Sequence, residues 1–538
     1  MKRDCLKMEK AQKTRENIMG TMPEGKLLFT MAFPMVISMM VQAFYNIYDS
    51  LVVASFDSAG VTALSLAFPI QNLLIAFATG TGVGINSYLS RALGEKRPDK
   101  ANKAATNGLF VIAITTVLFM LLGVVGTKAY FTYLTDAEPG TLTYDLGVDY
   151  LFVVMVACAG VFFQVTFERL LQATGKAKLS MYTQGLGAIV NIILDPIFIL
   201  SAGDELFGIT LPFGLGMGTL GAALATVIGQ FTAAGVGLFL NLKYNKEISL
   251  SFKGFKPDFQ VIKSIYTVGL PSIFMAAVGS FLTMAINKIL TIGEQVTYIK
   301  EGMSPATAAK LAADRLVGVS IYGVYFRLQS FVFMPIFGMN NGMIPIVAYN
   351  YGMRSKKRIM KTLKIAVMAA VIYMLLGLAV FQTMSGTLLK VFYQEDEAPE
   401  AGALESLPEE ALPSLDGEAE EEFHLTETQA VLKYGEPAMR IISLCFLFAG
   451  VCIITISSLQ ALGLGMPSLI ISLIRQIVVI LPLSFVFAKT FGLVAIFAAY
   501  PIAEGVALII SIFLFVRTYK KLLKPLDLPL EEVQASAN

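Results

Sequence analysis

Apolar runs of membrane length recur along the chain, separated by short polar, basic or glycine-bearing breaks. Twelve of them, at residues 27–51, 61–86, 106–127, 148–167, 179–201, 218–242, 264–290, 318–348, 365–390, 436–459, 467–488 and 491–516, are each long enough to cross ~30 Å of hydrocarbon as a helix. The pattern predicts an all-α polytopic membrane protein. In the first run the polar positions are as informative as the apolar ones. Gln42, Tyr45, Asn46 and Asp49 fall at i, i+3, i+4 and i+7, which places them on one face of a helix. A stripe that includes a carboxylate must look into protein or water, because an ionisable group at membrane depth costs on the order of 2.5–3.5 kcal/mol on insertion scales.

A second carboxylate of this kind is Asp195, four residues after Asn191 and followed by Pro196. Pro196 removes a backbone donor and frees the carbonyl of Ile192. Such acids either anchor helix contacts through hydrogen bonds or mark an ion path or proton relay, and the second is the default inside a membrane span.

The chain also repeats itself. Residues 60–103 overlay residues 318–361 without a gap at an offset of 258, and Gly60, Val61, Phe68, Gln71, Gly80, Gly84, Gly94 and Lys103 recur as Gly318, Val319, Phe326, Gln329, Gly338, Gly342, Gly352 and Lys361. Farther on, Gln172–Ser180 overlays Gln460–Ser468 at an offset of 288. Two copies of six spans share one orientation, the parallel repeat that leaves a cleft between two lobes. The expected organisation is a cytosolic segment 1–26, an amino-terminal lobe 27–242, a cytosolic linker 243–263, a carboxy-terminal lobe 264–516 and a cytosolic tail 517–538. With the amino terminus inside, 30 of the 41 Lys and Arg residues fall in cytosolic segments and 8 in outer ones, as the positive-inside rule requires.

Composition agrees with this picture. The chain of 538 residues is 55% hydrophobic and 15% charged, too apolar for a soluble globular protein. The first 26 residues lack the short apolar core and cleavage site of a signal peptide. Cys5, Cys158, Cys445 and Cys452 have no paired spacing, which fits neither a disulfide framework nor a zinc site. A net charge of +2 points to no nucleic-acid partner. The basic loops either dock anionic lipid headgroups or simply set topology.

The outer loop 391–435 stands apart. Its stretch 395–427 holds 13 of the 39 acidic residues and no Lys or Arg, so it reads as a solvated spacer. His424, the only histidine, lies there among carboxylates, but too sparsely for a metal cluster. Without an HExxH pair in the spans, an intramembrane enzyme is poorly supported.

The two halves differ in their acids. Aligning Pro34 with Pro271 puts Ile286 where the first half has Asp49, and Val479 and Leu483 stand for Asn191 and Asp195. The second half instead has Arg327, Arg475 and Glu504, candidates for ion pairs that hold the half together or for a polar floor of the cleft. Glu168 and Arg169 are expected at the cytosolic interface. The 25 Met and 38 Phe residues suit either an adaptable ligand surface or ordinary packing.

The two six-span halves, YNIYDSLVV, ERLLQATGKAK followed by NIILDPIFI, GAALATVIGQ, and FRLQSFVFMPIFGMNNGMIPIVAYNYG together resemble a bacterial MATE (multidrug and toxic compound extrusion) transporter, most similar to the branch with DinF-like and MepA-like proteins, over residues 20–520. The resemblance implies twelve transmembrane helices in two pseudo-symmetric six-helix lobes, arranged as a V that alternates between inward and outward openings. It implies export of cationic or amphiphilic small molecules in exchange for H⁺ or Na⁺, through a multi-pass protein of the bacterial cytoplasmic membrane with both termini cytosolic.

The resemblance also assigns a cation site to Asp49, Asn191, Asp195 and Thr226, with Tyr45 and Tyr150 nearby and Pro34 where the first helix bends. Gln42 and Asn46 share the face of Tyr45 and Asp49. Apart from the coupling ion no cofactor is called for, no metal beyond Na⁺ fits, and the expected partners are small-molecule substrates and membrane lipids around a monomer. Both H⁺ and Na⁺ suit the oxygen set. The alternative is a flippase of lipids or lipid-linked oligosaccharides from the same superfamily, which favours a strongly cationic cleft where the first lobe here offers acids.

Overall fold

The computed structural model describes residues 17–135, 138–206, 208–393 and 426–527; Cys5, His424 and nearly all of the acidic segment 395–427 lie outside the described residues. The first six spans are Glu24–Phe56, Ser58–Gly94, Pro98–Leu134, Leu142–Val156 with Ala159–Ala173, Ala177–Ile199 and Gly218–Tyr244. The seventh to tenth are Phe259–Lys300, Val317–Gly352, Lys356–Lys390, and Glu427–Ser443 with Phe446–Ala461. The eleventh runs from Gly465–Leu473 through a π-helical stretch, Ile474–Ile480, into Leu481–Phe491, and the twelfth joins Leu493–Ile496 to Ala499–Thr518. Among the described residues ten helices are long and apolar enough to cross a membrane on their own, and counting each of two helix pairs bent by 46° and 47° as one span gives twelve, the number read from the sequence.

The helices outrun the apolar runs that announced them, because backbone hydrogen bonding continues into the polar ends. Three features were not legible beforehand. The fourth and tenth spans are each broken, a short helix Pro305–Arg315 precedes the eighth, and a small hairpin pairs Glu205 with Thr210 and Leu206 with Ile209 between the fifth and sixth.

The repeat extends to the turns. Lys96 and Arg354, 258 positions apart, both sit in the left-handed region with φ of 56° and 57°, and each turn closes by backbone bonds back onto the preceding helix (Lys96 N–H to Leu93, Arg354 N–H to Tyr351). Gly175 and Gly463, 288 positions apart, hold φ of 85° and 83°, a conformation glycine adopts without steric cost.

The two large apolar cores correspond to the two lobes, with a third, small cluster around Cys452 and Ile471 in the second, but each large core borrows from the other lobe. Leu27, Leu28, Met31 and Met35 of the first span join the core of the second lobe, while Val261 and Ile265 of the seventh join that of the first. The glycines shared by the repeat explain how the helices come this close. A Cβ on Gly338 would lie 2.6 Å from Val36 Cα, and one on Gly342 would lie 2.6 Å from Ala32 Cα. Gly84, Gly94 and Gly352 face backbone carbonyls of Ile265, Tyr349 and Arg91, and Gly80 faces the Ile273 backbone. Small residues permit such backbone contact between membrane helices.

This seam lies toward the face that carries the Lys- and Arg-rich loops, hereafter the basic face. Along it the lobes meet as far as the Asn72–Ser280 side-chain hydrogen bond and the Phe44–Phe331 ring contact at 5.5 Å. Farther from the basic face, the first, second, seventh and eighth spans pack within their own lobes: Gly60 on Val53 and Thr219, Gly293 on Ile496 and Leu493, Gly318 on Leu290 and Leu493. The lobes therefore part toward the opposite face.

In the second lobe, Arg475 and Glu504 form a buried ion pair at 2.7 Å. Arg475 lies in the π-helical stretch of the eleventh span, and its guanidinium reaches the twelfth. Ile286, at the position matching Asp49, is fully buried. Glu294, one percent exposed, accepts hydrogen bonds from the Gly318 N–H (3.0 Å) and the Tyr298 hydroxyl (2.9 Å), which ties the seventh span to the start of the eighth.

Gly342→Val should force the first and eighth spans apart and destabilise the protein by about 1–3 kcal/mol, read as a lower thermal midpoint in detergent. Glu504→Leu strands the Arg475 charge and should cost about 3–5 kcal/mol, whereas Arg475→Met combined with Glu504→Leu should recover most of the loss; the same unfolding assay checks both.

Candidate functional site

Where the lobes part, a cavity of about 530 Å³ opens on the first lobe, with Arg327, among the described residues, its one lining residue from the second. The polar stripe predicted on the first span faces it: Gln42, Tyr45, Asn46 and Asp49 all line the cavity, with Asn191 from the fifth span, Thr226 from the sixth and Tyr150 from the fourth. Asp195 is fully buried directly behind this wall, its Oδ1 accepting a hydrogen bond from Asn191 Nδ2 at 3.0 Å. Asn191 Nδ2 also lies 3.4 Å from the Thr226 hydroxyl, which the Tyr45 hydroxyl reaches as well.

Local packing makes this convergence. Gly187 and Gly229 bring the backbones of the fifth and sixth spans together, since a Cβ on Gly187 would lie 2.9 Å from the Gly229 carbonyl oxygen and one on Gly229 would lie 3.2 Å from Asn191 Cβ. The i, i+4 spacing of Asn191 and Asp195 then aligns amide and carboxylate on the same face. Tyr150, three percent exposed, is held by its hydroxyl on Gln71 Oε1 at 3.4 Å, and Gln42 is held by Gln184 Nε2 at 3.1 Å.

The electrostatics of the wall are unusual. Asp49 and Asp195 lie near enough to feel each other's charge, and no Lys or Arg pairs with either among the described residues. Asp49 Oδ1, Asn191 Oδ1 and Asp195 Oδ2 are buried without a hydrogen-bond donor. Each such oxygen costs free energy at this depth. Three orphaned acceptors on converging side chains, with the Thr226 hydroxyl beside them, form an oxygen set that fits either a shared proton or a small hard cation such as Na⁺.

Pro34 does not belong to this group. It lies fifteen residues before Asp49, about 22 Å along the helix axis, buried toward the basic face, and the first span continues through it as one helix.

Glu168 and Arg169 correct the expectation that they sit at the interface. Their helix continues to Ala173, and both are buried, seven percent exposed, in the deep part of the cavity. Glu168 Oε1 accepts from Gln164 at 3.1 Å and from Thr183 at 3.5 Å, while Arg169 donates to Gln172 at 2.9 Å and across the seam to Asn341 at 2.8 Å. The i, i+4 pairing of Gln164 with Glu168 was the available signal, masked by the basic residues that follow. Of the second-lobe candidates, Arg327 lines the cavity as an exposed guanidinium on the opposing wall, whereas Arg475 and Glu504 pair with each other away from it through Glu504 Oε1.

The MatE family model matches residues 34–197 and 309–404. The multidrug export protein MepA of Staphylococcus haemolyticus is 25% identical over 493 residues, covering 91% of this chain and 92% of its own. Among solved structures, an outward-facing conformation of a multidrug resistance MATE family transporter of the MOP superfamily superposes with a TM-score of 0.77 at 22% identity, covering 95% of this chain and 99% of that one. A MOP superfamily transporter from Pyrococcus furiosus, described as having a binding pocket of reversed polarity that suggests a different function, gives 0.78 at 21% identity over 96% and 99%. With the two lobes, the cleft between them and the acidic wall in place, these matches make the chain similar to MATE family transporters along nearly its whole length.

Proposed function

We propose that this protein is a secondary exporter of the bacterial cytoplasmic membrane that expels cationic or amphiphilic small molecules in exchange for H⁺ or Na⁺. The observation that carries the reading is the convergence of Asp49, Asn191 and Thr226 on the wall of the cavity with Asp195 directly behind it, and three buried oxygens lacking any donor. The export of drugs by MepA relatives supports the cargo class. By the charge of the loops the basic face is cytosolic, so the lobes are closed inward and the cleft opens outward.

The chemistry follows from the charge on that wall. With Asp49 and Asp195 both ionised, the site holds negative charge that either a coupling ion or a cationic substrate can neutralise, but not both fully at once. Arrival of H⁺ or Na⁺ from outside removes the field that retains a cationic substrate and releases it outward. Once the lobes have reoriented, loss of the ion on the cytosolic side restores the field for the next substrate. Phe68, exposed on the cavity wall, supplies apolar surface for the hydrophobic part of the cargo.

In liposomes with an imposed pH or Na⁺ gradient, cationic dye should move against its own gradient, and Asp49→Asn or Asp195→Asn should slow coupled efflux by at least about tenfold, the cost of a lost charge-assisted contact. Wild-type rates in both variants would overturn the coupling role, and movement of a labelled lipid without dye would favour the flippase reading. Arg327→Gln removes a like charge from the wall facing the substrate and should lower the KM for a monocationic dye about two- to fivefold; dose–response curves of initial efflux rate measure it.

A further inference from the structure

The segment leading into the first span is not a free terminus on the cytosolic side. Residues Asn17–Glu24 lie across the seam on the basic face and are bonded to both lobes. On the first-lobe side, Asn17 Nδ2 donates to the Thr174 carbonyl at 3.1 Å, the Asn17 side chain also hydrogen-bonds Glu247 beside Lys176, and Gly175 packs against Asn17 and Ile18. Burial pushes the Glu247 carboxyl above its usual range, with Lys176 and Asn17 acting in the opposite sense.

On the second-lobe side the attachment is denser. Arg358 donates to the Met22 carbonyl at 2.6 Å and to the Met19 carbonyl at 3.3 Å, and Asn350 Nδ2 donates to the Met19 carbonyl at 3.1 Å. Arg358 Nε in turn holds Asn350 Oδ1 at 3.0 Å. Glu24 accepts an ion pair from Lys361 at 2.9 Å and lies 3.7 Å from Arg358. Met19 is fully buried in the core of the second lobe, and Gly20 fits closely over Met353 and Tyr349.

We propose that Asn17–Glu24 is a clasp that stabilises the state closed on the basic face, with Arg358 as its latch and Asn17 as its anchor on the opposite lobe. Lobes that separate on this face cannot keep both attachments, because the Asn17–Thr174 bond and the Arg358–Met22 bond pull on six residues from opposite sides of the opening. The clasp therefore adds its bonds to the closed state only. Losing the charge-assisted hydrogen bonds of Arg358 shifts the balance toward the open state by roughly tenfold, and losing the bonds of Asn17 to the Thr174 carbonyl and to Glu247 shifts it by a few fold.

The inference rests on the proposed alternation of the lobes but is read without substrate or gradient, so failure of export would leave it standing. Spin labels on Lys178→Cys and Lys364→Cys, exposed residues of the two lobes outside the clasp, report the opening of the basic face in a Cys5→Ser background; the other three cysteines are buried. Distance distributions by pulsed electron resonance should show the long-distance population rising about tenfold in Arg358→Ala and a few fold in Asn17→Ala, with Arg358→Lys intermediate. Distributions in folded Arg358→Ala and Asn17→Ala that superimpose on the parent would overturn the proposal. Should Arg358→Ala fail to fold, Asn17→Ala decides by the same criterion.

Discussion

Carboxylates at membrane depth demand a counter-charge, and the two lobes meet that demand in opposite ways. In the second lobe Arg475 pairs with Glu504, so the countercation is part of the chain. In the first, Asp49 and Asp195 have the Asn191 amide and the Thr226 hydroxyl beside them, and one oxygen each of Asp49, Asn191 and Asp195 lacks a donor. No Lys or Arg among the described residues pairs with either acid, and Asp49 lies on the cavity wall with Asp195 directly behind it.

The seam between the lobes shows why that cavity has one open end. Three of the four glycine pairs that the repeat preserves, Gly80 with Gly338, Gly84 with Gly342 and Gly94 with Gly352, lie where a helix of one lobe touches backbone of the other. Toward the basic face each lobe's opening helix lends apolar side chains to its partner's core; toward the other face it returns to its own. A seam of backbone contact, with Arg169–Asn341 and the Arg91–Tyr351 stack across it, closes one end without filling the other.

Much of this was legible in the sequence because membrane helices obey simple rules. Length and apolarity marked the twelve crossings, the i, i+3, i+4, i+7 stripe marked the wall facing the cavity, and the gapless overlay at 258 residues marked the halves. Glu168 and Arg169 were misplaced for a definable reason: a basic turn follows them, and only the continuation of the helix to Ala173 shows that they lie inside. The breaks before Ala159 and Phe446 carry no Pro and depend on packing rather than on local preference. The Arg475–Glu504 pair links residues 29 positions apart, beyond the reach of any periodicity, and the convergence of Thr226 on Asn191 rests on a close approach of two helices that only the Gly187–Gly229 contact reveals.

The matched turns deserve a last step. Lys96 and Arg354 hold the same left-handed backbone although one is followed by Arg97 and Pro98 and the other by Ser355 and Lys356, and neither is the glycine that such a conformation favours. After an ancestral duplication the two copies were thus free to exchange an unpaired acidic wall for an internal ion pair, yet not to alter the stitches between neighbouring helices. Divergence acted on what the halves do, while the joinery that keeps their helices in phase was inherited intact.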